Sequence, residues 1–74
     1  MTPQPIEFEL EADYIELNQL LKLTGLCDSG GAGKQLVASG AVSVDGITEL
    51  RKTCKIRADS RVSVHGHVIR VIAG

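Results

Sequence analysis

Aromatic residues and cysteines are scarce in this 74-residue chain, which has no tryptophan, one tyrosine, one phenylalanine and two cysteines. With so few aromatic rings, the stacking of unpaired bases cannot be its main mode of binding a nucleic acid. Two cysteines form at most one disulfide, whereas small secreted folds usually carry several, so we expect reduced thiols in a cytoplasmic protein. Cys27 and Cys54 also lack the paired spacing of structural zinc ligands. The sequence therefore predicts no metal site.

Long apolar runs are missing as well, since none approaches the ~20 residues that a membrane-spanning helix requires. The acidic start has neither the positive region nor the apolar stretch of a secretory signal. A chain of this length forms one domain, residues 1–74, and buries only roughly 60% of its unfolded surface, which leaves little room for a deep substrate cavity. We therefore expect no membrane contact, no enzymatic activity and no cofactor. Residues 1–5 contain two prolines and are predicted to be a frayed arm.

Charge is unevenly distributed along the chain. Residues 1–16 carry five acidic side chains and no basic one, whereas residues 17–74 have a net charge of +4. The formal total of −1 therefore conceals a basic remainder. Such asymmetry favours contact with a nucleic acid or a membrane surface, although a merely solvated surface is the common alternative.

Hydropathy patterns predict a strand, two helices and then several strands, which is an α+β order. Residues 6–10 alternate between apolar and acidic side chains, as in a half-buried strand. Asp13, with a glutamate three residues later, predicts a capping box and a first helix that ends at Gly25. Ser29 predicts the N-cap of a second helix that ends at Gly40. Together the helices form an αα-hairpin with a short turn.

Two β-hairpins are predicted after the helices. Residues 42–44 precede Asp45-Gly46, a dipeptide that tolerates positive φ and favours a tight hairpin turn. Residues 62–64 lead through His65-Gly66-His67 into a second return strand at 68–72. The His-x-His spacing could hold a metal, but no third ligand is evident, so these histidines are interpreted as turn residues.

A glycine-rich stretch, GGAGK at residues 30–34, suggests a phosphate-binding loop without meeting its spacing. A P-loop needs a glycine where Asp28 stands and a serine or threonine where Gln35 stands, and it follows a strand rather than a helix. The dinucleotide-binding fingerprint fails at Leu36. What remains is a helix N-terminus with free amides and one lysine, which is a general anion site. Glycines that simply permit close helix packing are an equal alternative.

The densest basic stretch carries four cations within seven residues, namely Arg51, Lys52, Lys55 and Arg57. If the helical hairpin folds against the sheet, Lys22 and Lys34 would join them in one patch that meets phosphates. Recognition of the backbone and shape of folded RNA suits such a patch better than base stacking.

Five short segments follow one another in a characteristic order: LLKLTG at 20–25, DSGGAGK at 28–34, GAVSVDG at 40–46, ELRK at 49–52 and KI at 55–56. In this order and spacing, residues 15–64 resemble the alpha-L RNA-binding motif, the domain named after ribosomal small-subunit protein four. The chain is most similar to the short stand-alone bacterial members. The resemblance implies a two-helix hairpin packed on a small antiparallel β-sheet, with no attached catalytic domain.

The resemblance also implies a surface for structured RNA on the helical hairpin and on the basic loop after the Asp45-Gly46 turn. The residues carried over by position are Lys22, Ser29, Lys34, Arg51, Lys52 and Lys55. Arg57 is added on charge alone. The chain departs from the family beside Ser29, where Asp28 and Gly30 stand instead of a common arginine, and at Asp59-Ser60, which replaces a common Gly-Asp.

The leading hypothesis is therefore a monomeric, non-catalytic protein that binds ribosomal or transfer RNA, with ribosome association left open. A second hypothesis is a ubiquitin-like sulfur carrier that uses Gly74, because the length and the Val-x-Val-Asp-Gly hairpin are similar. The tail is Ala73-Gly74, however, where such carriers expose Gly-Gly. A third hypothesis is a protein-docking module in RNA metabolism whose acidic strand and basic loop meet a partner chain.

Overall fold

Two α-helices and seven β-strands lie within residues 5–74, the part of the chain that this computed structural model describes. The predicted frayed arm, residues 1–5, lies outside the described residues apart from Pro5. In chain order the elements are β1 (Ile6–Leu10), β2 (Ile15–Glu16), α1 (Leu17–Leu23), α2 (Gly30–Ala38), β3 (Val42–Val44), β4 (Ile47–Thr48), β5 (Lys55–Ile56), β6 (Arg61–Val64) and β7 (His67–Ala73). The predicted α+β class is confirmed.

The main sheet has the strand order β1-β7-β6-β3-β4, and β2 pairs with β5 in a separate two-stranded ribbon. The pairs β6–β7, β3–β6 and β3–β4 are antiparallel, as expected of a small antiparallel sheet, but β1 departs from this expectation because it pairs with β7 in parallel. This register sets Phe8 beside Val71 and Ile6 beside Ile69, so the apolar residues of both strands face the same side. This register buries the apolar face that the two strands share, and the sheet is mixed.

The predicted β-hairpins are confirmed, and each turns on two residues with positive φ. Asp45 and Gly46 have φ values of 51° and 85° between β3 and β4. His65 and Gly66 have values of 47° and 81° between β6 and β7. Positive φ at both central residues is typical of a type I′ turn, whose twist matches that of the flanking strands. His65 therefore serves the turn.

The predicted start of the first helix was wrong. Asp13 does not cap α1, which begins at Leu17 after Glu16 and has no side-chain cap. Residues 15 and 16 are instead held in β2, where Ile15 pairs with Ile56 of β5. The predicted end is confirmed, since α1 ends at Leu23 just before Gly25. Pairing with a distant strand, which local patterns do not reveal, overrides the capping box.

One hydrophobic core joins both helices to the main sheet and the ribbon. Its fully buried members alternate with exposed residues along β6 and β7, so one face of the sheet packs inward and the other stays open. The buried apolar residues are Leu10, Leu17, Leu20, Leu21, Val37, Val42, Ile56, Val62, Val64, Ile69 and Val71. The open face carries Arg61 and Arg70. The helices and the segment after β4 therefore share the opposite side of the molecule.

Candidate nucleic-acid interface

Residues 51–57, which we call the basic segment, are fastened to the amino end of α1. The N–H of Leu17 donates to the carbonyl of Cys54 at 2.9 Å, and the N–H of Asn18 donates to the carbonyl of Lys52 at 3.0 Å. The first N–H groups of a helix have no partner within the helix, so an external acceptor has to satisfy them. The carbonyls of the basic segment do this here. Lys52 is thereby fixed beside the first turn of α1.

Helix α2 also packs against the first turn of α1, and the contact is made at Gly33. A Cβ added at Gly33 would lie 2.9 Å from the backbone oxygen of Asn18, a distance shorter than Cβ atoms keep from their neighbours in proteins. Because glycine has no Cβ, the two helices can approach until Asn18 is only 2% exposed. Asn18 is therefore the common neighbour of Lys52 and of Gly33, which precedes Lys34. The structure brings together the two stretches of chain that carry these lysines.

The beginning of α2 offers free backbone donors. Ser29 is the N-cap, as predicted, and its Oγ accepts a hydrogen bond from the N–H of Ala32 at 3.2 Å. Among the described residues, the N–H groups of Gly30 and Gly31 have no hydrogen-bond partner, and the first turn contains no acidic residue. Such an end attracts anions. Asp28, exposed just before the cap, offsets part of this positive potential.

Lys22 lies one helical turn after Asn18 on the same face of α1. Since the helices form a hairpin, this turn of α1 lies toward the start of α2, where Gly30 approaches Gln19. Lys22 is exposed, as are Lys34 and Lys52. Within residues 5–74, none of these three lysines takes part in a salt bridge. Their charges are available to an external anion.

Arg51 differs from the other predicted cations because its charge is already paired. Its Nε lies 3.2 Å from Oε2 of Glu49, and its Nη2 donates to Oε1 at 3.2 Å. Hydrogen bonds from the Arg51 side chain and backbone N–H lower the pKa of Glu49 to about 2. Glu49 is therefore ionised at neutral pH. The sequence analysis did not include Glu49 in the site, although its position two residues before Arg51 was visible.

We expect Glu49→Gln to strengthen the binding of a labelled RNA hairpin. The substitution frees Arg51 for one more phosphate contact, which should raise affinity about fivefold at ~0.15 M salt and steepen the salt slope by about 0.7–0.9. Fluorescence anisotropy measures both quantities. Glu7→Gln is the matched control, because it removes the same charge beside Arg70 on the open face of the sheet. An equal gain in both variants would contradict a specific role for Arg51.

Lys55 and Arg57 converge on Tyr14, a residue that the sequence analysis did not assign to the site. The Nζ of Lys55 lies 5.0 Å from the centre of the ring, and Cζ of Arg57 lies 5.9 Å from it. Both distances fall within the range of cation–π attraction. The antiparallel pairing of β2 with β5 produces this arrangement. The seven predicted residues therefore divide into three sets. Arg51 is paired with Glu49, and Lys55 and Arg57 lie beside Tyr14. The other four, which we call the helix-side group, are Lys22, Ser29, Lys34 and Lys52.

Residues 8–72 match the family model of the S4 domain. The chain belongs to the S4 domain family. YbcJ of Escherichia coli K12 is 48% identical over 60 residues, which cover 81% of this chain and 86% of YbcJ.

Two solved structures are similar to this S4 domain. The solution structure of E. coli YbcJ, described as an alpha-L motif involved in RNA binding, is 42% identical and has a TM-score of 0.75. The match covers 99% of this chain and 94% of YbcJ. The crystal structure of ribosomal protein S4e from Thermoplasma acidophilum is 21% identical with a TM-score of 0.59, and the match covers 78% of this chain and 31% of S4e. The S4e likeness concerns the fold alone.

The sulfur-carrier hypothesis finds no support. The family and its relatives point to a different class of protein. Strand β7 also runs to Ala73, which pairs with Leu10 of β1. No free stretch of chain therefore leads to Gly74, whereas an activated carrier must thread its tail into another enzyme.

The cysteines of this S4 domain are poorly suited to nucleophilic chemistry. Burial, and then the Asp28 carboxylate, raise the pKa of Cys27. Burial, and then the Glu49 carboxylate, raise the pKa of Cys54. Both thiols are therefore protonated at neutral pH, and the thiolate is the reactive form.

Two further features of residues 5–74 concern metals and membranes. In this range, no group of three or more histidine, cysteine, aspartate or glutamate side chains converges as metal ligands would. Neither α1 nor α2 has the length and apolar character needed to cross a bilayer.

Proposed function

We propose that this S4 domain is a non-catalytic RNA-binding protein that contacts the phosphates of structured RNA of the ribosomal or transfer class. The observation that carries the proposal is the meeting of Lys52 and the Gly33-Lys34 stretch at Asn18. The description of YbcJ as holding a motif involved in RNA binding supports it. We further propose that the protein acts as a monomer in the cytoplasm.

The chemistry of the helix-side group suits a sugar–phosphate backbone. Lys22, Lys34 and Lys52 are flexible point charges that neutralise phosphates without reading a base. Ser29 and the free amides at the start of α2 add directional donors to the same surface. A double-stranded RNA presents its phosphates as a rigid array, so recognition follows shape more than sequence.

The salt dependence of binding tests the proposal. If about four phosphates are neutralised, log affinity should fall with log salt at a slope between about −2.8 and −3.6. Affinity for a labelled RNA hairpin is then expected to fall about 150- to 600-fold between ~50 and ~300 mM salt. Unchanged affinity across this range would contradict the proposal. Capture of a partner protein that survives nuclease treatment, without measurable hairpin binding, would favour a protein-docking module instead.

A further inference from the structure

An apolar groove of about 440 Å³ lies against Tyr14, the residue that Lys55 and Arg57 approach, and the proposed phosphate contacts make no use of it. Its walls include Phe8 of β1, Tyr14, Ile15 of β2 and Leu23 at the end of α1. Tyr14 is 40% exposed and Leu23 is 59% exposed, although both are large apolar side chains. The volume falls within the range of small-molecule pockets. The groove can therefore accept a flat apolar group about the size of one base.

The charges around the groove differ between its two sides. Lys55 and Arg57 approach the ring of Tyr14, whereas Glu9 and Glu11 lie among the lining residues on the side of β1 and the loop after it. A phosphate is attracted to the first side and repelled from the second. An occupant with one anionic group and one apolar face therefore fits in a single direction, its anion toward Lys55 and Arg57.

We propose that the groove binds one unpaired nucleobase of the RNA, stacked on Tyr14, while Lys55 and Arg57 hold the adjoining phosphate. The inference rests on the proposed RNA-binding function and adds a structural class to it, namely helical RNA interrupted by a bulged nucleotide. Bases splayed out of a helix commonly stack on aromatic side chains. A protein segment is the less favoured occupant, because two cations at the aromatic wall repel the basic peptide that the acidic side would attract.

Intrinsic fluorescence tests the inference, because Tyr14 is the only tyrosine and the chain has no tryptophan. The probes are two RNA hairpins of equal length, one fully paired and one with a single-nucleotide bulge, with free N-acetyltyrosinamide as the reference for light absorbed by RNA. We expect the bulged hairpin to quench Tyr14 emission and to bind about 5- to 150-fold more tightly than the paired one. The paired hairpin should bind without quenching.

Three substitutions separate stacking from other contributions to affinity. Tyr14→Phe keeps an aromatic ring and should retain the preference for the bulged hairpin. Tyr14→Leu removes the ring and should reduce affinity for the bulged hairpin to that for the paired one. Leu23→Gln changes another lining residue of the groove, at the exposed end of α1, and should weaken bulge binding alone. Thermal unfolding monitored by circular dichroism identifies any variant that fails to fold.

The outcomes distinguish this inference from the proposed function. Equal affinities for the two hairpins, with unchanged Tyr14 emission, would overturn the stacking site and leave the phosphate surface intact. Binding of neither hairpin would overturn both proposals. Quenching by a lysine- and leucine-rich peptide, together with no quenching by the bulged RNA, would overturn the nucleobase in favour of a protein partner.

Discussion

Replacing Lys22, Lys34 and Lys52 together by alanine should weaken binding of an RNA hairpin by about 50- to 170-fold at ~0.15 M salt. The estimate follows from the loss of three phosphate contacts, each of which contributes about 0.7–0.9 to the slope of log affinity against log salt. The slope itself should become less steep by about 2 to 3. Anisotropy titrations at several salt concentrations measure both effects.

The control for this variant is the double substitution Arg61→Ala and Arg70→Ala. Both arginines lie on the open face of the main sheet, away from the helices, next to the buried Val62 and Ile69. Removing them lowers the net charge by two without touching the proposed surface, so affinity should fall less than about threefold. If the loss of affinity per charge removed were similar in the triple and the double variant, overall charge rather than a defined surface would govern binding.

Gly33→Ala should destabilise the protein by up to about 2 kcal/mol, because inserting a methyl group where no space exists usually costs about 1–3 kcal/mol. The new Cβ would lie 2.9 Å from the Asn18 carbonyl oxygen, and a backbone atom cannot move aside as a flexible side chain can. The better helix propensity of alanine, about 1 kcal/mol, offsets only part of this cost. Urea unfolding monitored by circular dichroism measures the difference.

Gly31→Ala provides the comparison within the same helix. A Cβ at that position would meet only the Ser29 Oγ at 3.8 Å, which is an ordinary contact. Its stability should therefore match that of the parent or exceed it by up to about 1 kcal/mol. The Gly33 variant should also bind RNA more weakly, because separation of the helices displaces Lys34 from Lys52. Equal stability of the two variants would contradict the close packing at Asn18.

Local patterns in the sequence were enough to predict the strand at 6–10, both hairpin turns and the Ser29 cap. Each of these features depends on neighbouring residues, such as the Asp45-Gly46 pair. The start of α1 could not be predicted in the same way, because carbonyls more than 30 positions away satisfy its first N–H groups. The parallel pairing of β1 with β7 joins residues that are still farther apart in sequence, such as Ile6 and Ile69.

In the candidate site, too, features that depend on neighbouring residues were predictable, and features that depend on distant pairing were not. The cations of the basic segment and the glycine-rich start of α2 were apparent from composition and order. The pairing of Arg51 with Glu49 was local and could have been foreseen. The convergence of Lys55 and Arg57 on Tyr14 could not, because it depends on the two-residue strands of the ribbon. Such short strands carry almost no periodic signal of their own.

The pairing of the first strand with the last also constrains how the protein is made. Ile6 pairs with Ile69, so β1 leaves the ribosome long before its partner has been translated. Contacts between residues so far apart slow folding. Until β7 has been made, the nascent β1 strand must stay soluble without its partner. The glutamates that alternate with its apolar residues discourage aggregation between growing chains.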